Sequence, residues 1–468
     1  MLKLIYKYRV VLLSTVLLQM ASCTKTDYVP NPNAPTQESV LRNATRQQIS
    51  QLGVGVQSVL RDGVFSFRTW SGSIGREVVY FAQTESRYYR ELQGEIPLDA
   101  AGIMYGWYSA FNQIRRRAEI MLQSASNTGS LSDAEKAAAK GFGKTVQAYA
   151  MLNCLNMMGN NGIRTSFSDL STEGDLLKPG CFKNYTESLT YLKGLADEGL
   201  ASLDQAGTAD FPFPMVSGWG DLTSIASFKQ FNRAVAARIA MYQQDWNGLE
   251  TALNSSFMDL DGDLNAGPSF LYSNTIGDET NPIWRSLDNN SSPILVQADF
   301  VGDAEAGDDR VFGTSMAEGG TARVRQRATA TAPPDYPLMT HEVQMDQNNI
   351  SPIRFLRNEE LILMYAEAKL QKDELAPAVT ALDIIRTENG LAALAVAKPG
   401  ILGNKNALID ELLHQRRYSL FMEGHRWFDM RRYNKLNTLP LDKPTHSVYE
   451  QFLVPRAEVD WDSVNPCQ

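Results

Sequence analysis

Histidine and cysteine are both scarce, at four each in 468 residues, and their scarcity removes several chemistries at once. There is no CxxC pair, and no histidine stands at ligand spacing from a cysteine, which argues against a zinc site. GxSxG, HExxH and Cys–His nucleophile arrangements are all missing. Past the N-terminus, no stretch reaches the roughly 20 apolar residues that a membrane-spanning helix needs. Positive charge is also in deficit: 44 Lys and Arg face 53 Asp and Glu, a net charge of -9. That balance argues against nucleic acid as the partner. Carboxylates are plentiful enough for a glycosidase pair, but nothing in their spacing singles out two.

The first 22 residues read as a secretory signal. Lys3, Lys7 and Arg9 form a basic start, Val10 to Leu18 is apolar apart from Ser14 and Thr15, and the small residues Ala21 and Ser22 precede Cys23. A cysteine at that point marks a lipoprotein signal, with Cys23 as the lipidation site; Met20 stands where such signals usually carry Leu. Acyl chains add about 0.8 kcal/mol per buried methylene, so the mature protein is expected to be anchored to a membrane, not to span it. Residues 23–39, with prolines among Asn and Thr, read as a tether.

From about residue 40 the pattern turns helical. Apolar residues recur at three- and four-residue steps in 42–60, 66–89, 103–122, 132–158, 185–206, 225–243 and 246–255. Ser132 with Glu135 forms a capping box. A second set follows at 359–370, 377–390 and 407–420, in which Pro377 opens a helix and Gly390 stops one. Between them, 259–353 is rich in Gly, Asn, Asp and Pro, with strand-like runs at 293–296 and 322–327. The expected organisation is therefore a helical part at 40–258, a loop-rich insertion at 259–353 and a second helical part at 354–468. The fold class is mainly α: antiparallel helix pairs of tetratricopeptide-like type supporting a loop-rich, partly β second layer. A block as long as 259–353 is too large for a bare loop and is the expected ligand face.

Several motifs have a plain structural alternative. Residues 138–145, AAKGFGKT, formally fit a relaxed phosphate loop, but they lie inside a helix, not between a strand and a helix. Asp259, Asp261 and Asp263 alternate as in a calcium loop, yet Gly262 falls at the fourth place and Phe270 at the twelfth, so Asx turns are the default and no metal is expected. The run Glu423-Gly424-His425-Arg426-Trp427-Phe428-Asp429 reads as structure, with Arg426 and Asp429 at ion-pair spacing on a helix. His341 and His446 read as polar surface. A Cys154–Cys181 disulfide is open, as is a buried thiol at Cys154.

The C-terminal third carries a resemblance. RFLRNEELILMYAEAKL (354–370), ALDIIRTENGL (381–391), ALIDELLHQRRYSLFMEGHRWFDMRRY (407–433) and FLVPRAEVDWDSVNP (452–466) are similar, in this order, to the motifs of the SusD/RagB family, the last to a short strand and Asp/Asn-rich turn. Weaker echoes stand at 104–122, 148–163 and 232–246. Gln415 and Ser419 depart from the family pattern, which has charged residues there, so a local ion pair should differ. Residues 259–353 align with none of these motifs, so the resemblance does not carry over a ligand. The resemblance implies a helical body on the outer leaflet of the outer membrane, a TonB-dependent transporter barrel as partner, and capture of a glycan or, in some members, a peptide. It implies no enzyme activity and no cofactor.

Sugar rings stack their C–H faces on aromatic side chains, while their hydroxyls seek amides, carboxylates and guanidinium groups. Aromatic and polar residues at helix ends and in loops are thus the candidate ligand contacts: Tyr88, Tyr89, Arg90, Trp219, Tyr272, Asn274, Trp284, Asp303 and Tyr336. The expectation is a non-catalytic surface lipoprotein that captures an oligosaccharide and passes it to the transporter. The alternatives are peptide capture, a surface glycan-degrading enzyme with two facing carboxylates, or a purely structural lipoprotein with its loop aromatics buried.

Overall fold

Side-chain caps mark where the helices begin in the computed structural model, which describes residues 37–166 and 179–466. Cys23, the signal and most of the tether lie outside the described residues. Thr45 and Gln48 form a reciprocal capping box that divides the first helical stretch into α1 (Gln37–Asn43) and α2 (Arg46–Val59). α3 (Val64–Ile74) follows Gly63, whose φ of 77° turns the chain; a Cβ there would lie 2.7 Å from that of Ala110.

The helix expected across 66–89 stops at Ile74. Arg76 takes a φ of 58°, and β1 (Val78–Tyr80) then pairs with residues more than 200 positions away. Val-Val-Tyr has strong β propensity, but periodicity alone cannot see so distant a partner. The short helix α4 (Arg87–Arg90) follows.

The helical body continues with α5 (Gly106–Asn127) and α6 (Asp133–Met158), the latter capped by Ser132 and Glu135. The phosphate-loop-like 138–145 segment lies within α6. A two-stranded ribbon of β2 (Ile163–Arg164) and β3 (Phe182–Lys183) leads into α7 (Tyr185–Ala206), α8 (Ile225–Gln243) and α9 (Trp246–Asn254). Small residues let these helices approach closely. A Cβ on Gly141 of α6 would lie 2.5 Å from Leu203 of α7, and the buried Asn232 amide of α8 donates to Thr145 Oγ1 and the Ala196 carbonyl, tying three helices together.

The loop-rich region contributes β4 (Ser269–Phe270), β5 (Ile294–Val296), α10 (Ala298–Gly302), β6 (Val324–Thr331), β7 (Met339–Val343) and β8 (Ile353–Arg354). One antiparallel sheet has the order β1-β5-β7-β6, and β4 pairs with β8. The strand-like runs at 293–296 and 322–327 thus fall on β5 and the start of β6. α11 (Asn358–Gln371), α12 (Leu375–Glu388), α13 (Leu394–Ala397), α14 (Lys405–Ser419), α15 (Arg426–Arg432) and α16 (Arg456–Val464) complete the chain.

α11 is not amphipathic. It buries Asn358, Glu359, Glu360 and Glu367 along with its apolar residues, so charge pairing, not one greasy face, seats it. The C-terminal segment read as strand and turn is instead helix α16, held to β2 by Arg164, which bonds Glu458 at 2.7 Å and Asp462 at 2.8 Å. Cys154 is a fully buried free thiol and Cys181 is disulfide-bonded, so the Cys154–Cys181 bond does not form. No helix among the described residues is long and apolar enough to cross a membrane. The architecture is a mainly α body of packed helix pairs with a partly β layer on one side.

Candidate functional site

The β1–β5 ladder places the first candidate cluster. Beyond β1, the Phe81 N–H donates to the Pro293 carbonyl and the Gln83 N–H to that of Ser291, which brings α4 beside the 282–292 loop. α4 divides its two tyrosines. Tyr88 remains partly exposed and packs on Trp70 and Tyr80, each at a centroid distance of 5.1 Å. Tyr89 turns inward against Phe81 and Tyr336, both at 5.7 Å.

Phe65, the second residue of α3 and also partly exposed, meets Trp70 and Tyr80 edge-on at 5.5 and 5.2 Å. The Arg285 guanidinium lies 5.4 Å from the Phe65 ring and 5.7 Å from that of Tyr80. Its position is fixed because it donates to the carbonyls of Pro282, Trp284 and Ser292. The result is an aromatic platform of Phe65 and Tyr88 backed by buried Trp70 and Tyr80, with one cation at its edge. Trp284 is half-buried beside it, its N–H donating to Asn281 Oδ1.

A polar pocket of about 340 Å³ adjoins the platform. Ile283, next to Trp284, lines it, as does Arg68, one helical turn after Phe65. Its walls also carry Arg323, Asp346, Arg354, Arg357 and Glu423. Arg357 bonds both Glu359 and Glu423, and Arg323 reaches Glu423 at 3.3 Å. Burial pushes the Glu423 carboxyl up, but Arg357, Arg68 and Arg323 outweigh it and hold the group at about 2. Burial pushes Asp346 up to about 6, against the pull of Arg68 and a hydrogen bond from Asn281.

The other expected contacts are dispersed. The Trp219 ring is enclosed by Phe142, Phe228, Phe231 and Phe355, its Nε1 donating to Gln57 Oε1, so no face is left for a ligand. Tyr89 and Tyr336 share a buried cluster with Leu295 and Met339. Arg90 bonds Glu95, which also accepts from the Tyr336 hydroxyl and Lys443. Tyr272 is buried under the Arg61 guanidinium, while Asn274 is exposed and accepts from Asn349. Asp303 is exposed and pairs with Arg417 at 2.8 Å. Asp259 and Asp263 each accept from a backbone N–H two residues on, forming Asx turns. Among the described residues, no group of three or more metal-capable side chains forms.

Sequence reasoning missed Phe65, Trp70, Tyr80 and Arg285, along with the pocket arginines. Trp284 followed by Arg285 was the one local signal; the rest depends on β1 meeting β5. His446 is buried against Tyr336, not exposed.

The 423–429 run is structural, but its ion pair is not the expected one. Asp429 accepts from Arg416 at 2.7 Å and from Arg432 at 2.9 Å, and Arg432 also holds Glu367. Arg426 instead neighbours the buried Glu77. His425 lies 3.6 Å from Glu360 and is pushed down to about 4 by burial, so its ring is neutral at pH 7. At the two departures from the family pattern, Gln415 and Ser419 both accept from Arg310, whose charge is met by Asp308.

Residues 309–462 match the model of the SusD family. Sequence comparison with curated proteins finds no match. Among solved structures, a SusD superfamily protein from Bacteroides vulgatus is 14% identical with a TM-score of 0.64, covering 89% of this chain and 97% of its own. Surface glycan-binding protein A from Bacteroides thetaiotaomicron, in complex with laminarihexaose, is 13% identical with a TM-score of 0.63, covering 89% and 98%. A second SusD superfamily protein, also from Bacteroides thetaiotaomicron, is 17% identical with a TM-score of 0.57, covering 84% and 91%. The C-terminal third therefore resembles the SusD family in sequence, and the fold along nearly the whole chain is similar to that of SusD superfamily structures.

Proposed function

We propose that the protein captures an oligosaccharide at the Phe65–Tyr88 platform and delivers it to a TonB-dependent transporter in the outer membrane, to which Cys23 anchors it by lipid. The observation that carries the reading is the platform itself: two partly exposed rings, backed by two buried ones, beside a fixed guanidinium. Such a surface stacks on the apolar faces of sugars, and Arg285 offers donors to hydroxyls. The glycan complex of a structural relative supports the same reading. The buried carboxylates of Glu359, Glu423 and Asp429 are occupied as counter-ions to arginine, which favours binding without turnover.

Glycan-array screening followed by calorimetry tests the ligand. Retention of at least one oligosaccharide is expected, with Tyr88→Ala weakening it at least tenfold. Binding of peptides but of no sugar would overturn the proposal. Co-purification with a barrel transporter tests the partner, and mass spectrometry of the mature N-terminus tests acylation at Cys23.

A further inference from the structure

The pocket beside the platform has a charge pattern that a neutral sugar would not need. Four arginines line it, against the carboxylates Asp346 and Glu423. Two of the arginines, Arg323 and Arg357, are neutralised by Glu359 and Glu423. The other two make no direct ion pair among the described residues: Arg354 has no carboxylate partner, and Arg68 lies only within electrostatic reach of Asp346 and Glu423, both of which it pulls down. Arg68 is 8% exposed and donates to the Arg354 carbonyl; Arg354 donates to Ser269 Oγ.

Holding the buried Arg68 guanidinium, and the half-buried one of Arg354, without a direct ion pair costs stability unless something compensates. The excess positive charge is local, for the chain as a whole carries -9. Low-dielectric walls make such a charge felt more strongly than it would be in open water.

We infer that this pocket is an anion subsite that takes a carboxylate or sulfate group on a sugar of the captured glycan, with Arg68 and Arg354 as its binding residues. The inference rests on the glycan-capture reading and narrows its substrate class to acidic oligosaccharides. The placement suits it: α3 carries Phe65 of the platform and Arg68 of the pocket one turn apart, and Ile283–Trp284–Arg285 runs along both. A chain stacked on the platform can thus extend a neighbouring acidic unit into the pocket. The planar fork of arginine fits the paired oxygens of a carboxylate, or two oxygens of a sulfate. A pocket of about 340 Å³ lies within the range of small-molecule sites and has room for a sugar ring.

Two experiments test this. The first is an array pairing uronate-bearing glycans with their carboxyl-reduced forms, and sulfated glycans with desulfated ones, with a peptide set alongside. Retained glycans should carry the anionic group and lose at least tenfold in affinity without it. Arg354→Gln and Arg68→Gln, made separately, should abolish that difference, whereas Tyr88→Ala should weaken charged and neutral forms alike. Which pairs respond decides between carboxylate and sulfate. Equal affinity for charged and neutral forms, or a preference that survives both arginine substitutions, overturns the subsite and leaves glycan capture standing.

The second experiment is independent of glycan identity and of how the variants fold. Wild-type protein is treated with phenylglyoxal, an arginine reagent, in the presence of D-glucuronate, glucose 6-sulfate or glucose, and Arg354 modification is read by mass spectrometry. Either anion, but not glucose, should protect Arg354. Protection by neither overturns the subsite. Protection on a protein that retains no glycan on the array sustains the anion site and overturns glycan capture.

Discussion

Replacing Asp429 by Asn separates a structural reading of the 423–429 run from a catalytic or ligand-binding one. The carboxylate is 2% exposed and lies between Arg416 and Arg432. Burial pushes its pKa up, but the two guanidinium groups outweigh that and hold it at about 2, below the ordinary 3.8. A carboxyl depressed in the folded state stabilises above its unfolded pKa, and that contribution is lost as pH falls from 3.8 through about 2. The displacement corresponds to about 2 kcal/mol at neutral pH. Substitution should cost more, because Arg416 then faces only an amide, while Arg432 keeps Glu367. Breaking one side of a buried pair typically costs about 3–5 kcal/mol.

Urea unfolding followed by tryptophan fluorescence measures the change. D429N should unfold at clearly lower urea than wild type at pH 7, and the gap should narrow towards pH 2.5, where the wild-type carboxyl begins to be protonated. Glycan affinity of the folded fraction should be unchanged. An unaltered urea midpoint together with lost binding would refute the structural assignment.

Glu77 should behave in the opposite sense. Burial pushes it up to about 8, against the pull of Arg426, Arg417 and the Met422 backbone, and no ion pair reaches it among the described residues. Its folded pKa exceeds the unfolded one, so stability is highest below 4.5 and falls as pH rises from 4.5 to 8; Glu77→Gln should be more stable than wild type at pH 8 by on the order of 2–4 kcal/mol in urea titrations. Tyr88→Ala should lower stability by only about 1 kcal/mol, since the ring is partly exposed, while weakening glycan binding at least tenfold. Cys154 is fully buried and burial pushes its thiol up, so iodoacetamide should label it only as fast as the protein unfolds; prompt labelling of native protein would contradict its placement in α6.

The legibility of this chain follows the range of the interactions. Ser132 with Glu135 announced α6, and the helix 185–206 was readable to the residue, because caps and 3.6-residue periodicity act within a few positions. α11 was legible as a helix but not as a buried one, since Glu359, Glu360 and Glu367 look like an exposed face until Arg357 at its start turns onto Glu359 and Arg238 and Arg432 arrive from elsewhere. The candidate site fared worst. Of the aromatics chosen for standing in loops, Trp219 packs into the core because Phe142, Phe228, Phe231 and Phe355 converge on it. Tyr88 keeps a free edge only because β1 and β5 pair.

By itself the sequence determined the class of architecture, the succession of helix pairs and the order of the C-terminal motifs, all of which are written in local spacing. Tertiary structure alone decided which aromatic rings stay accessible, which carboxylates are spoken for and which arginines are left over. Exposure and charge compensation are sums over neighbours drawn from the whole chain, and no window of adjacent residues contains them.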